Sequence, residues 1–175
     1  MQRSELEHII RASGDIADDD EIIIIGSQSI LGQFPNAPVR LLASMATDVY
    51  PRNKPAMADK IDGAIGEGSS FHELHGYYAQ MVGPETAVLP FDWQSRLIQI
   101  RNENTGGVTG LCLEVHDLAV AKMVAARTKD LKFVQELVRH KMIQQNTMLQ
   151  RLEATDLEDS RRTRIMARVV SLFNA

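Results

Sequence analysis

A single cysteine among 175 residues means that no internal disulfide can staple this chain. That residue, Cys112, lies in the apolar run GLCLEV, the setting of a buried strand thiol rather than of a nucleophile. No run approaches the ~20 consecutive apolar residues of a membrane span, and the opening MQRSELEHII has no long apolar stretch of the kind that directs secretion. A cytoplasmic protein without membrane contact is the expectation. Strong charge is also missing: the formal net charge is −4, too mild to announce a nucleic-acid surface and no bar to a local basic patch. Internal repeats and low-complexity tracts are absent, as are a Walker A loop, a Rossmann glycine fingerprint and a Gly-x-Ser-x-Gly elbow. What remains is an ordinary globular composition, 44% apolar and 24% charged. The length suits one well-cored domain with an appendage, expected as residues 1–140 and a helical extension, 141–175, packed on the domain or at a homo-oligomer interface.

The richest segment is EIIIIGSQSILG, residues 21–32. Four consecutive isoleucines favour a strand, and the lack of alternation implies burial on both faces. Gly26 permits a tight turn, and Ser27, Gln28 and Ser29 then place hydroxyls and backbone N–H groups at the start of a short helix. Such a turn can hold an anion, and the same strand–Gly–Ser–helix connection also occurs with no ligand.

Around this segment the chain punctuates itself. Ser4 and Glu7 match a capping box for a first helix over 5–12, with Ser13-Gly14 as its stop, and the five carboxylates between Asp15 and Glu21 read as a solvated loop. A second strand is expected over Met45–Tyr50, closed by Pro51. A helix over Lys54–Ile65 has Pro55 in its first turn, and a strand is expected around 76–82. Arg96–Arg101 and Thr109–Val115 read as a hairpin across NENTGG. From His116 the pattern turns helical, with Asp117 as the first cap, a second helix restarting at Thr128, and two more to the end. The expected class is therefore mixed α/β with a helical C-terminal part.

Apolar strand, Gly26-Ser27, short helix, then Asp48 on the following strand: this order resembles the nucleotidyltransferase superfamily. The later segment HDLAVAKMVAARTKDLKFV, with Lys122, Arg127, Lys129 and Asp130, is similar to the Lys-and-Asp region of AbiE-type toxin nucleotidyltransferases and related small bacterial proteins. The two matches span residues 21–140. The resemblance implies a mixed sheet flanked by helices and a nucleoside triphosphate held at Gly26, Ser27 and Gln28. It further implies Mg²⁺ on Asp48, phosphate charge neutralised by Lys122, and Asp130 completing the acidic side of the site or orienting that lysine. The reaction would be nucleotidyl transfer to an RNA end, a protein hydroxyl or a small molecule.

One departure stands out. Family members usually carry two carboxylates on this strand as Asp-x-Asp or Asp-x-Glu, because alternate strand residues share a face. Here the triplet is Asp48-Val49-Tyr50. A neutral phenol is a poor Mg²⁺ ligand. Another acid such as Glu103 or Asp117 rebuilds the site, or one metal serves with weak activity, or the fold is kept as an inactive binding or regulatory module, for instance within a toxin–antitoxin pair. Outside the resemblance, His72 and His75 have i, i+3 spacing without an evident third ligand, and His116 reads as a cap or loop residue more readily than as a base. Arg161, Arg162, Arg164 and Arg168 sit off the apolar positions Ile165, Val169 and Leu172 of the last helix. They are either the solvated face of a packing helix or a nucleic-acid contact, with no aromatic or glycine between them as in a strand-binding platform.

Overall fold

The computed structural model describes residues 1–175. The chain folds as two compact units, residues 1–86 with 97–113, and residues 87–96 with 114–175. The first holds α1 (Arg3–Ala17), β1 (Glu21–Ile24), α2 (Ile30–Gln33), β2 (Ala46–Pro51), α3 (Ala58–Ile65), α4 (Ser70–His75), β3 (Tyr78–Met81), β4 (Ile98–Ile100) and β5 (Thr109–Cys112). Its sheet has the order β3-β2-β1-β5-β4, with β1 antiparallel to β2 and parallel to β5, β2 parallel to β3, and β4 antiparallel to β5. The isoleucine run is the middle strand, and Ile22, Ile23 and Ile24 are all buried, as an unalternating apolar strand requires. The mixed α/β class inferred from sequence holds, as do the two strands of the 96–115 hairpin and the strand at 78–81.

Several local expectations fail. The first helix runs from Arg3 to Ala17 rather than over 5–12, and its start is closed by the Glu5 carboxylate, which accepts from the Gln2 N–H at 2.6 Å. Glu7, expected in the cap, is instead buried and accepts from Arg3 (2.9 Å), Asn102 (2.8 Å) and Asn104 (2.7 Å). Gly14 does not stop the helix because it lets the helix approach the Val108 side chain, where a β-carbon would collide. The acidic segment is not a purely solvated loop either. Asp15 is helical, and Asp19 is buried where its carboxylate receives the backbone N–H groups of Glu21 (3.1 Å), Asn53 (2.8 Å) and Lys54 (3.0 Å). It ties the start of β1 to the chain leaving β2.

The second unit is helical: α5 (Val115–Ala125), α6 (Thr128–Arg139), α7 (Gln145–Glu153) and α8 (Asp159–Asn174). The segment 87–96 joins it through a bridge between Pro90 and Thr155 and a bond from the Phe91 N–H to the Ala154 carbonyl, 2.6 Å. The cap of α5 is Glu114, whose carboxylate accepts from the N–H groups of His116 (3.0 Å) and Asp117 (3.4 Å). Asp117, the expected cap, lies one turn inside and fully buried. Its carboxylate takes a two-pronged Arg96 guanidinium (2.8 and 3.0 Å) and Arg151 (3.1 Å). A buried carboxylate so held is a structural pair.

Candidate functional site

The chain leaving β1 passes Ile25, whose N–H donates to the Asp48 carbonyl at 3.1 Å, and reaches Gly26. A β-carbon at Gly26 would overlap the Asp48 carboxylate. Glycine is therefore required here for close approach, with an extended backbone (φ −89°, ψ −170°) that imposes no strain. Beyond it a single 3₁₀ turn, Ser27–Ser29, runs into α2, and the Ser29 hydroxyl closes the turn on the Gly26 carbonyl at 2.7 Å. The helical run is only seven residues, so any anion here would be held by local N–H and hydroxyl groups more than by a helix dipole.

Gly26, Ser27 and Asp48 are thus neighbours, and Asp48 is half-buried. Gln28 is placed differently from a ligand-holding side chain. It is fully buried, and its amide donates to the Ser44 carbonyl at 2.9 Å, pinning the 3₁₀ turn to the loop before β2.

Tyr50 shares the Asp48 face of β2 by alternation and is buried. Burial pushes its phenol above the ordinary tyrosine range, with Glu85 adding and Arg52 opposing, so it stays a neutral hydroxyl. Sequence reasoning passed over Tyr78, on the neighbouring β3. Its phenol is also raised, by burial and then by the negative charges of Glu67 and Asp48. Tyr78 begins the strand paired with β2, and that partnership across 30 residues leaves no local signal.

Of the acids proposed to replace the second ligand, Glu103 is exposed in the turn before β5, at the opposite end of β1 from Asp48. Asp117 is neutralised inside the second unit. Burial pushes its carboxyl up to about 6, against the pull of Arg96. Lys122 and Asp130 also belong to that unit and meet each other: Lys122 Nζ lies 3.1 Å from Asp130 and over the Phe133 ring at 5.4 Å, while Arg127 Nε lies 2.6 Å from the same carboxylate. Burial would raise the Asp130 carboxyl, but Arg127 and Lys122 together hold it below the usual range. His72 packs on Tyr78 and His75 on Phe71 and Tyr77, and no group of three or more His, Cys, Asp or Glu side chains is arranged to hold a metal. His116 is structural, bonded to Glu114 (2.8 Å) and accepting from the Gln144 N–H (3.0 Å). Cys112 is buried and its thiol is pushed up to about 12 by burial, which leaves it unreactive.

Residues 4–173 match the family described as nucleotidyltransferase of unknown function, DUF6036. The chain belongs to that family. The match covers both units and supports the superfamily to which the Gly26-Ser27 and Asp48 pattern points. No curated protein and no solved structure matches the chain. DUF6036 membership carries no substrate with it. No helix is long and apolar enough to cross a membrane.

Proposed function

We propose that the protein binds a nucleoside triphosphate with Mg²⁺ at the Gly26-Ser27 turn and transfers its nucleotidyl group to an acceptor hydroxyl. The supporting observation is the close approach of the Asp48 carboxylate to the Gly26 backbone. A carboxylate set against a turn rich in N–H and hydroxyl groups has the pairing a metal–phosphate complex needs, acid for the cation and donors for the oxygens. The donor set fits one cation. Mg²⁺ is commonly held by one or two carboxylates together with substrate phosphates, and here Asp48 is the carboxylate while Tyr50 supplies none. A bound Mg²⁺ would offset phosphate charge.

The chain's own part is positional. Gly26 leaves room for the Asp48 carboxylate against the turn, Ser27 offers its hydroxyl, and the buried Gln28 amide and Ser29 hydroxyl keep the turn from moving. In the transfer the acceptor oxygen bonds the α-phosphorus, the bridge to the β-phosphate breaks, pyrophosphate leaves, and the acceptor proton passes to solvent or a base. Lys122 and Asp130 have their own ion pair in the second unit, so the proposal draws on the first unit alone.

The burial of Tyr50 favours one second reading, a family member that keeps nucleotide binding without transfer and acts as a regulatory module, as the AbiE-type likeness would suit in a toxin–antitoxin pair. Calorimetry with ATP, GTP, CTP and UTP separates these. Mg²⁺-dependent binding that is lost in both Ser27→Ala and Asp48→Asn is the expected result. Binding unchanged in both variants would overturn the site. Release of pyrophosphate by the wild-type chain with an RNA or protein acceptor selects transfer over the regulatory reading.

A further inference from the structure

Charge is unevenly divided along this chain. The first unit has 14 acidic and seven basic residues, the second nine and twelve, so a chain of net −4 contains a helical unit of net positive sign. Much of that excess lies on α8. From Ser160 to Ala175 there is no carboxylate side chain, and the helix's one acid, Asp159, is paired with Arg162 at 2.6 Å. Ile165 and Val169 are buried, whereas Arg161, Arg164 and Arg168 are exposed. At ~100° per residue these three fall within an arc of about 60°, along roughly 10 Å of helix. Arg161 also donates to the Val124 carbonyl (3.0 Å), which brings the stripe to the turn between α5 and α6, where Arg127 and Lys129 are exposed.

The rest of the face narrows the choice of partner. Between and beside the arginines stand Thr163 and Ala167, small residues that would let a phosphate backbone approach. None of the exposed large apolar side chains, Val39, Met45, Leu74, Val88 and Phe91, lies on α8. Protein interfaces are anchored by clusters of buried aromatic or aliphatic side chains, whereas beside these arginines stands one half-buried aliphatic residue, Leu172. Single-strand platforms stack bases on aromatic rings, and none is present. Guanidinium groups aligned in a row do match phosphodiester oxygens, which they can grip with two parallel bonds.

We infer that the Arg161–Arg164–Arg168 face of α8 binds the phosphate backbone of a nucleic-acid duplex, without reading its sequence. This goes beyond the nucleotide site and stands without it, since the residues concerned are in the other unit. RNA and DNA duplexes share the chemistry, and the test separates them. Fluorescence anisotropy of the full chain with labelled 20-base-pair RNA and DNA duplexes should show binding that weakens with salt. Three phosphate contacts on DNA give a roughly 40-fold loss of affinity between 50 and 200 mM salt. R164Q/R168Q should lower the log–log salt slope by about two. These two arginines make no ion pair within the fold, so folding, followed by circular dichroism, should be unchanged. R164K/R168K keeps the charge and should retain most of the binding. Failure of both duplexes to bind at 50 mM salt would overturn the inference, as would an unchanged slope in R164Q/R168Q. Preference for polyglutamate over both duplexes would do the same, pointing to an acidic protein partner. If the RNA duplex binds more tightly than the DNA, the RNA backbone is the ligand; if the reverse, the DNA. Mg²⁺–triphosphate binding by R164Q/R168Q should match wild type, so that loss of this surface and loss of the Asp48 site are distinguishable.

Discussion

Asp48 in the first unit and Asp117 in the second are both acids withdrawn from open solvent, yet their surroundings differ in kind. Asp117 is fully buried with a two-pronged Arg96 and a second arginine on its oxygens. Asp130 repeats the arrangement with Arg127 and Lys122. Asp48 is half-buried on β2, with its carboxylate packed against the Gly26 backbone. An acid already holding two cations would have to surrender them to take a metal ion, and doing so would strand buried or partly buried charge. The acids best placed to stabilise the fold are thus poorly placed to serve chemistry.

The sharpest way to break this comparison is to remove the two kinds of acid in turn. Asp117→Ala leaves Arg96 and Arg151 facing an empty buried pocket and should cost about 3–5 kcal/mol, seen as a large fall in the thermal unfolding midpoint. Asp48→Asn, at a half-exposed position, should change stability by about 0.5 kcal/mol or less in the same assay. Equal effects would dissolve the distinction. Gly26→Ala should come next, at about 1–3 kcal/mol, because its methyl group must displace the Asp48 carboxylate, and it should also abolish Mg²⁺–triphosphate binding. A variant that unfolds more easily yet binds normally would separate the glycine's packing role from the site.

A further effect is a test by pH. Burial would raise the Glu7 carboxyl, but hydrogen bonds from Asn104, Asn102 and Arg3 outweigh it and hold it below its ordinary value of 4.5. A carboxyl depressed in the folded state stabilises the fold fully above its unfolded value, and that contribution is lost as pH falls through the folded value. Glu7→Gln should therefore cost about 1 kcal/mol at pH 7 and flatten the loss of stability below about pH 4.5, measured by urea unfolding at several pH values. Glu7 is a wholly structural acid, so nucleotide binding should not follow it.

The elements were legible wherever local pattern and tertiary demand agree. The isoleucine run could only be an inner strand, and the turn at NENTGG joined two strands that do pair. Gly26-Ser27 and Asp48 were legible as neighbours because their order along the chain follows a known family. Misreadings arose where a residue's partner is distant in sequence. Gly14 looked like a helix stop until Val108 packed on it, and Asp117 looked like a cap until Arg96 and Arg151 converged on it. Glu103 looked available for a metal because sequence distance gives no hint of which end of a sheet a turn occupies. Nor does it show that Tyr78 begins the strand paired with that of Asp48, because parallel pairing of β2 and β3 spans two helices.

By itself, the sequence determined the class of the fold, its central strand, the glycine turn and the identity of the one strand carboxylate beside it, since these follow from hydrophobic periodicity, backbone freedom and residue type. Only the tertiary structure decided which acids are already neutralised. That Asp117 meets two guanidinium groups depends on Arg96 and Arg151, 21 and 34 residues away, and the energy of its buried charge is set by that encounter rather than by the residue alone.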